Sequence, residues 1–431
     1  MKEKLNRDFI INLSNKKGEP SWMTEFRLNS YEAFLKIENP TFGPKLDFSF
    51  DDLLYYKKTE EQKKNWQDVK KETYHTFCKL GVVDAEKKYL DGVSNQMESE
   101  VVYHHNITDK DIIFCSTDEA LRKYPKLFKK YFNTLVKYDE NKYTALNGAV
   151  WSGGSFIYIP PNTKLDRPLQ SYFRIDTESL GQFERTIIIV DDNSELSYIE
   201  GCTAKSYSKS SLHAGVVEIF VGKNAKCRYS TIQNWSTDVY NLVTKRAIVD
   251  ESGLMEWVDG NIGSKVTMKY PSVILKGDYS CGNCISIAYA REGQVLDAGA
   301  KMIHLGAHTK SNIVNKSIAS FGGVSNYRGT TRIAASAKNS FASVKCDTIL
   351  LDNISKSDTF PKNIVENETS TLEHEASVSK VSAEKLFYLE SKGLSEERAK
   401  ELFIMGFIED FKKELPMEYA VELNRLLKEE L

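Results

Sequence analysis

No run of 18 or more apolar residues occurs in the 431-residue sequence, so no transmembrane helix and no membrane partner are expected. The N-terminus, MKEKLNRDFIINLSNKKG, lacks an apolar signal core followed by a small-residue cleavage site. The expected location is the cytoplasm, or a plastid-type organelle if a leader has been removed. A charge excess is also missing: 58 Lys and Arg stand against 60 Asp and Glu, a net charge of -2. Nucleic-acid binders usually carry a strong basic excess or stripe, so nucleic acid is not an expected partner. The seven cysteines, Cys78, Cys115, Cys202, Cys227, Cys281, Cys284 and Cys346, are odd in number and scattered, which is not a disulfide framework. Neither GxxxxGK[ST] nor GxSxG occurs. A Walker A phosphate loop and a serine-hydrolase elbow are therefore excluded, and any ATP hydrolysis belongs to a partner.

What is present is the balance of a soluble globular chain, 41% hydrophobic and 27% charged, long enough to bury a large core without staples. Three regions separate by pattern. Residues 1–140 read as mostly helical. Within them, STDEALRKYPKLFKKYFNTLV offers Ser116 or Thr117 as a cap and a break at Tyr124-Pro125. KKTEEQKKNWQDV (57–69) reads as an exposed linker or a mobile helix. Residues 141–358 read as the β core. Short runs such as RTIIIV, ELSYIEG, VVEIFVG and KCRYSTIQNW follow one another every 10–15 residues between Gly, Asn, Asp and Ser turns. Two-residue NG or DG hairpins are few, and many strands carry apolar or small residues on both faces. That favours the stacked coils of a β-helix, with a sandwich or barrel as the alternative. Residues 359–431 read as a C-terminal helical region. Its expected helices are SAEKLFYLESKG with a Ser cap, SEERAKELFIMG capped by Ser395, and a last one opened by Pro416; they would cap the solenoid's open end or dock a partner.

Four groups invite chemistry. Cys281-Gly-Asn-Cys284 is a lone CxxC leading into a strand; a turn with two thiols is the favoured reading. His304 and His308 are expected to flank a turn rather than bind a ligand. Cys202 follows Gly201 at the end of a strand and reads as core on its own. The last group joins Cys346 to Glu373, His374 and Glu375 of TLEHEAS. Thiolate, imidazole and carboxylate together suit iron or zinc. In an extended strand, however, the two glutamates face one side and His374 the other. From spacing alone, a packed cysteine and a polar turn outweigh a metal site, and any metal site would be open, finished by a second subunit or a thiol.

Ordered motifs then add a second kind of evidence. FRIDTESLGQFERTIIIVDDNSELSYIEGCTA, SLHAGVVEIFV, RYSTIQNW, VTKRA, KMIHLG, YRG, KCDTILLDN, LEHEASVSKVSAEKLFYLESKGLSEERAKELFIMGF and ELPMEYAVELNRLL closely resemble the SufB scaffold subunits of the Suf iron–sulfur cluster assembly machinery. The resemblance runs from about residue 115 to the C-terminus. It implies a mainly β fold, a right-handed parallel β-helix between helical regions, acting as an assembly scaffold rather than an enzyme. It implies a SufC-type ABC ATPase docking on the C-terminal region, a SufD-type paralogue, and a SufE- or SufU-type sulfur donor. A homodimer is an option for the isolated chain. A transient iron–sulfur cluster would form, with room for reduced flavin. By position, Cys202 falls on the sulfur-accepting cysteine. Arg174, Gln233, Trp235 and Lys245 fall on residues lining the interior. Cys346 falls on the cluster-assembly cysteine, with Glu375, Glu373 and His374 on its EHE segment. Asp176 departs from the pattern, standing where relatives often carry Asn. A pectin-lyase-type β-helix enzyme would want a carboxylate cluster and a secretion signal, and neither is present.

Overall fold

The computed structural model describes residues 4–106, 111–381 and 383–414. Its centre is a parallel β-solenoid of about eight turns. One sheet stacks Gly92–Met97, Leu169–Ile175, Glu195–Ala204, Lys226–Trp235, Leu254–Gly263, Cys281–Ala290, Lys310–Ala319, Phe341–Leu350 and Thr371–Lys380, each parallel to the next. The facing sheet runs from Ser155–Ile159 through Arg185–Val190, Val216–Val221 and Val239–Val249 to Val324–Ile333 and Thr359–Val365. Between the sheets lie Ile157, Ile188, Leu196, Tyr229, Val249, Met255, Trp257, Cys284, Met302 and Val344, the main apolar core.

Each coil turns one corner through a residue in the left-handed region. Asn162, Asn193, Asn224, Ser252, Tyr279, His308 and Asn339 all have φ between 52° and 61°. Asn224 donates to Asn193 at 3.3 Å and Asn193 to Asn162 at 3.0 Å, a short amide ladder up the corner. Asn tolerates this conformation because its side chain bonds locally.

The two ends differ. At the first, Glu100–Asn106 pairs antiparallel with Gly92–Met97, and Ile113–Ser116 pairs antiparallel with Ser155–Ile159. At the last, Thr359–Val365 and Thr371–Lys380 are largely exposed among the described residues. The strands thus continue to Lys380, past the expected boundary at 358.

The N-terminal helices Arg7–Lys17 and Ser21–Lys36 and the helix Lys142–Val150 cover the outside of the second sheet, burying Ile10, Leu13, Phe34 and Leu146 against Leu212, Tyr240, Leu242 and Met268. Ser116 caps Thr117–Lys123, accepting from the Glu119 N–H, and Pro125 opens the next helix. The 57–69 stretch is neither free nor helical throughout. Trp66 stacks on Tyr103 at 3.8 Å and donates to Glu86 at 2.6 Å, while Val69 is buried.

Ser395 caps Glu396–Phe407. That helix does not close the solenoid's end. Ile404, Ile408 and Phe411 lie on the outer flank of the first sheet, against Ile232, Val258, Ile262 and Ile287. Outward apolar residues on three successive coils give it a seat there, and the outward side chains of Thr371–Lys380 offer none. Ser382 and the expected helix from Pro416 fall outside the described residues.

Candidate scaffold interior and terminal cysteine site

Strand parity decides which side chains enter the solenoid. On Glu195–Ala204, Glu200 and Cys202 point inward; in register on the next strands are Thr231 and Gln233, then Asp259 and Asn261. These polar groups are fully buried, so each must find partners inside. Lys245 from the opposite sheet reaches Glu200 at 3.0 Å and lies 4.5 Å over the Tyr229 ring. Tyr229 also donates to Glu200. Lys269 reaches Asp259 at 3.2 Å, and Thr231 donates to Asp259 at 2.9 Å. Burial pushes the Glu200 and Asp259 carboxyls up, but Lys245 and Lys269 overcome it and hold both below their usual range. Lys245 stays above its usual range because Glu200 and Asp259 outweigh its burial. Lys269 comes down, since burial outweighs Asp259 and Lys245 repels it.

A second chain of groups ends at Cys202. Glu184 holds the His213 ring at 2.7 Å, and the other ring nitrogen lies 2.8 Å from the Asn241 carbonyl oxygen. Asn241 donates to the Gln233 carbonyl oxygen at 2.8 Å, and Lys269 donates to the same oxygen at 3.2 Å. The remaining end of Gln233, its NH2, is 4.0 Å from Cys202 Sγ. The amides admit one direction only: every bond donates toward the sulfur. Glu184 keeps the imidazole above its usual pKa although burial opposes this. Gly215 makes the pair fit, because a Cβ there would stand 1.9 Å from Glu184 Oε1. Trp235 packs beside His213 at 4.6 Å and in the cluster around Cys202, its indole N–H buried without a partner. Burial, with Glu200 and Glu184 nearby, pushes the Cys202 thiol well up; Lys245 and Lys269 work against that.

Arg174 does not belong to this interior. Its neighbour Phe173 is the residue in register with Cys202, so Arg174 points outward, where it pairs with Asp176 at 2.7 Å and bonds Thr203. The Asp that departs from the family pattern is thus its ion-pair partner on the outside.

From Glu200 the inward column continues through Thr231, Asp259, Ser286 and Asn315 to Cys346, with Ser286 donating to Asn315 at 2.7 Å. Cys346 lies five strands beyond Cys202, roughly 24 Å at about 4.8 Å per strand. Its thiol is 3.9 Å from His374 Nε2, and burial raises it to about 12, with the Tyr327 hydroxyl opposing. His374 is itself held by Asn363 at 3.0 Å, and partial burial lowers its pKa. Glu373 and Glu375 occupy the other face. Glu375 pairs with Lys345 at 3.6 Å and is well exposed. The strand therefore gathers Cys346 with His374 and separates both from the glutamates. Among the described residues no three His, Cys, Asp or Glu side chains converge to hold a metal ion.

The remaining candidates resolve structurally. Cys281 and Cys284 lie within one strand rather than a turn, and three residues apart they face opposite sides. His304 and His308 do flank a turn. His304 is buried between Thr309 and Ser311, 2.8 Å from each, and burial lowers it to about 4. His308 is a corner residue stacked on Tyr279. Sequence reading had passed over His213, Glu184 and Asn241. The signal lies in SLHAGVVEIFV, whose histidine stands two residues before Gly215 at the end of a short strand.

Two family models match the chain: the SufBD core domain of SUF-system FeS cluster assembly over residues 173–407, and the SufBD protein N-terminal region over residues 15–171. The chain belongs to the SufBD family. Iron-sulfur cluster assembly SufBD family proteins of Staphylococcus saprophyticus and Staphylococcus aureus are each 56% identical over 432 aligned positions, covering 99% of this chain and 93% of theirs. Family membership makes the chain a component of iron–sulfur cluster assembly. The match names SufBD as one family and does not separate a SufB-type from a SufD-type chain. No helix among the described residues is long and apolar enough to cross a membrane.

Proposed function

We propose that this chain is the sulfur-accepting, cluster-building member of its Suf system, a SufB-type scaffold working beside a SufD-type paralogue and a SufC-type ATPase. The observation that supports this most is the buried polar column that starts at Glu200 and Cys202 and ends at Cys346. Buried polar side chains are costly, and a merely structural solenoid would fill this space with apolar ones.

Loading begins when Cys202 Sγ, as thiolate, attacks the sulfane sulfur of a donor persulfide of SufE or SufU type. A new S–S bond forms as the donor's breaks; the donor leaves as a thiolate and takes up the proton that Cys202 gave, with no net redox change. The amide N–H of Gln233, polarised by Lys269 and His213, and the free indole N–H of Trp235 stabilise the anionic outer sulfur. Delivery of the outer sulfur as sulfide would take two electrons, which a reduced flavin would supply. The growing cluster is cargo, held by Cys346 and His374. Two donors are fewer than a stable cluster takes, so a partner or small thiol supplies the rest and release is easy. Glu375, on the outer face beside Lys345, acts at the paralogue interface.

Anaerobic reconstitution with iron and sulfide tests the reading, with and without SufC- and SufD-type partners. Absorption and Mössbauer spectra of the wild type should show a labile cluster that Cys346→Ser and His374→Ala lose and Glu375→Ala weakens less. Persulfide loading, followed by mass, should vanish in Cys202→Ser. A wild type that holds no cluster even with its partners would make the chain a SufD-like structural paralogue.

A further inference from the structure

The outside of the second sheet carries a cavity of about 490 Å3 that the scaffold chemistry does not use. It is lined by Leu242 and Met268 from the sheet, by Tyr143 and Tyr270, and by the segment from Ile37 to Phe42. Apolar walls of this size with a few convergent polar groups are the ordinary form of a small-molecule site.

The polar groups come from strand register. Arg246, Ser272 and Lys301 are in line on three successive strands, all lining the cavity. Neighbouring strands lie about 4.8 Å apart, so the small Ser272 leaves a notch between two cations. Arg246 is already satisfied, forked onto Glu140 at 2.7 and 2.9 Å. Lys301 is not: among the described residues it forms no ion pair, and its nearest defined partner is the Tyr270 ring at 5.6 Å. Burial, Arg246 and Arg328 all push its ammonium below the usual range, and only Glu140 pulls the other way. Glu38, the other carboxylate of the lining, acts on Lys142 instead. Tyr270 cannot serve Lys301 as an anion, because its hydroxyl is bound to Asp297 at 2.6 Å and Arg328 takes the rest of that carboxylate. A half-buried cation facing an apolar cavity without a counter-charge is a vacancy for an anion.

We propose that this cavity binds a small molecule with an apolar body and one anionic head group, a carboxylate or phosphate monoester, seated in the Ser272 notch against Lys301. Lys245, also among the lining residues, sends its ammonium inward to Glu200, away from this cavity, while Arg246 beside it points out to Glu140.

Two dyes of one shape separate charge from apolar contact: anionic anilinonaphthalene sulfonate and neutral N-phenyl-1-naphthylamine, titrated by fluorescence into the full-length protein. Both should show one saturable site that Ser272→Trp fills and abolishes. Lys301→Gln should weaken the anionic dye about tenfold, as loss of one charge-assisted hydrogen bond does, and leave the neutral dye unchanged. Lys301→Arg should restore the anionic dye. Competition by decanoate and by decyl phosphate then tells the carboxylate from the phosphate. The proposal is overturned if Ser272→Trp leaves the binding stoichiometry intact, if Lys301→Gln affects both dyes alike or neither, or if neither competitor displaces the anionic dye.

Discussion

Glu200 and Lys245 are both wholly buried, and each is tolerable only because of the other. Lys245→Ala should leave an unpaired carboxylate inside the solenoid and cost about 3–5 kcal/mol, read as a lower urea midpoint at unchanged slope. His304 is a different case, a buried imidazole kept neutral. Its pKa is about 4 when folded, against about 6.5 in an unfolded chain. Below pH 6.5 the unfolded state binds the extra proton, so stability falls as pH falls, by about 2 kcal/mol at pH 5 from this residue. His304→Gln should flatten that part of the pH dependence of the urea midpoint between pH 7 and 5. Both inner and outer positions were partly legible in the sequence. TLEHEAS alternates sharply, so His374 and the two glutamates could be assigned to opposite faces. SYFRID does not alternate: Tyr172 and Phe173 are both apolar, and nothing in the string says that Phe173 faces in and Arg174 out. The resemblance put Arg174 inside, and only register moved it.

At the scale of elements, a strap packs against the cluster that holds Cys202. Leu54 packs in the same cluster as Phe173, Leu180 and Trp235, and its backbone bonds Ser179 at 2.8 Å and Gly181 at 2.9 Å. Leu54→Ala should loosen it and speed alkylation of Cys202 several-fold, counted by mass after peptide mapping, with the alkylation of buried Cys227 unchanged. A strap beside the cluster that holds Cys202 is not visible in the sequence, because Leu54 is one apolar residue in a loop. The solenoid itself was legible as closely spaced strands, but its period was not. Lys226 pairs with Glu195, 31 residues back, whereas Leu254 pairs with Cys281, 27 residues on. The corner begins as Asn162, Asn193 and Asn224 and then passes to Ser, Tyr and His. Holding such residues in the left-handed region costs only about 1–2 kcal/mol each, which the stack absorbs, so the repeat fades from the sequence. The boundary at 358 failed for a related reason. Among the described residues the last two strands are largely exposed, and TLEHEASVSK in particular carries few of the apolar residues by which strands are recognised.

For the whole molecule, the asymmetry of the ends has a consequence for how firmly different parts hold together. A stack in which each coil touches only its neighbours opens from whichever end is unsupported. Among the described residues the first end is supported by antiparallel strands and the last is bare, so amide hydrogen exchange should speed up steadily from Lys226–Trp235 toward Thr371–Lys380. Cys346 and His374 sit on the final two coils, where local opening is cheapest. A cargo or partner bound there should slow exchange most in those coils, by the factor that its own dissociation constant sets. Loading and letting go would then be two readings of one equilibrium, the fraying of a single strand.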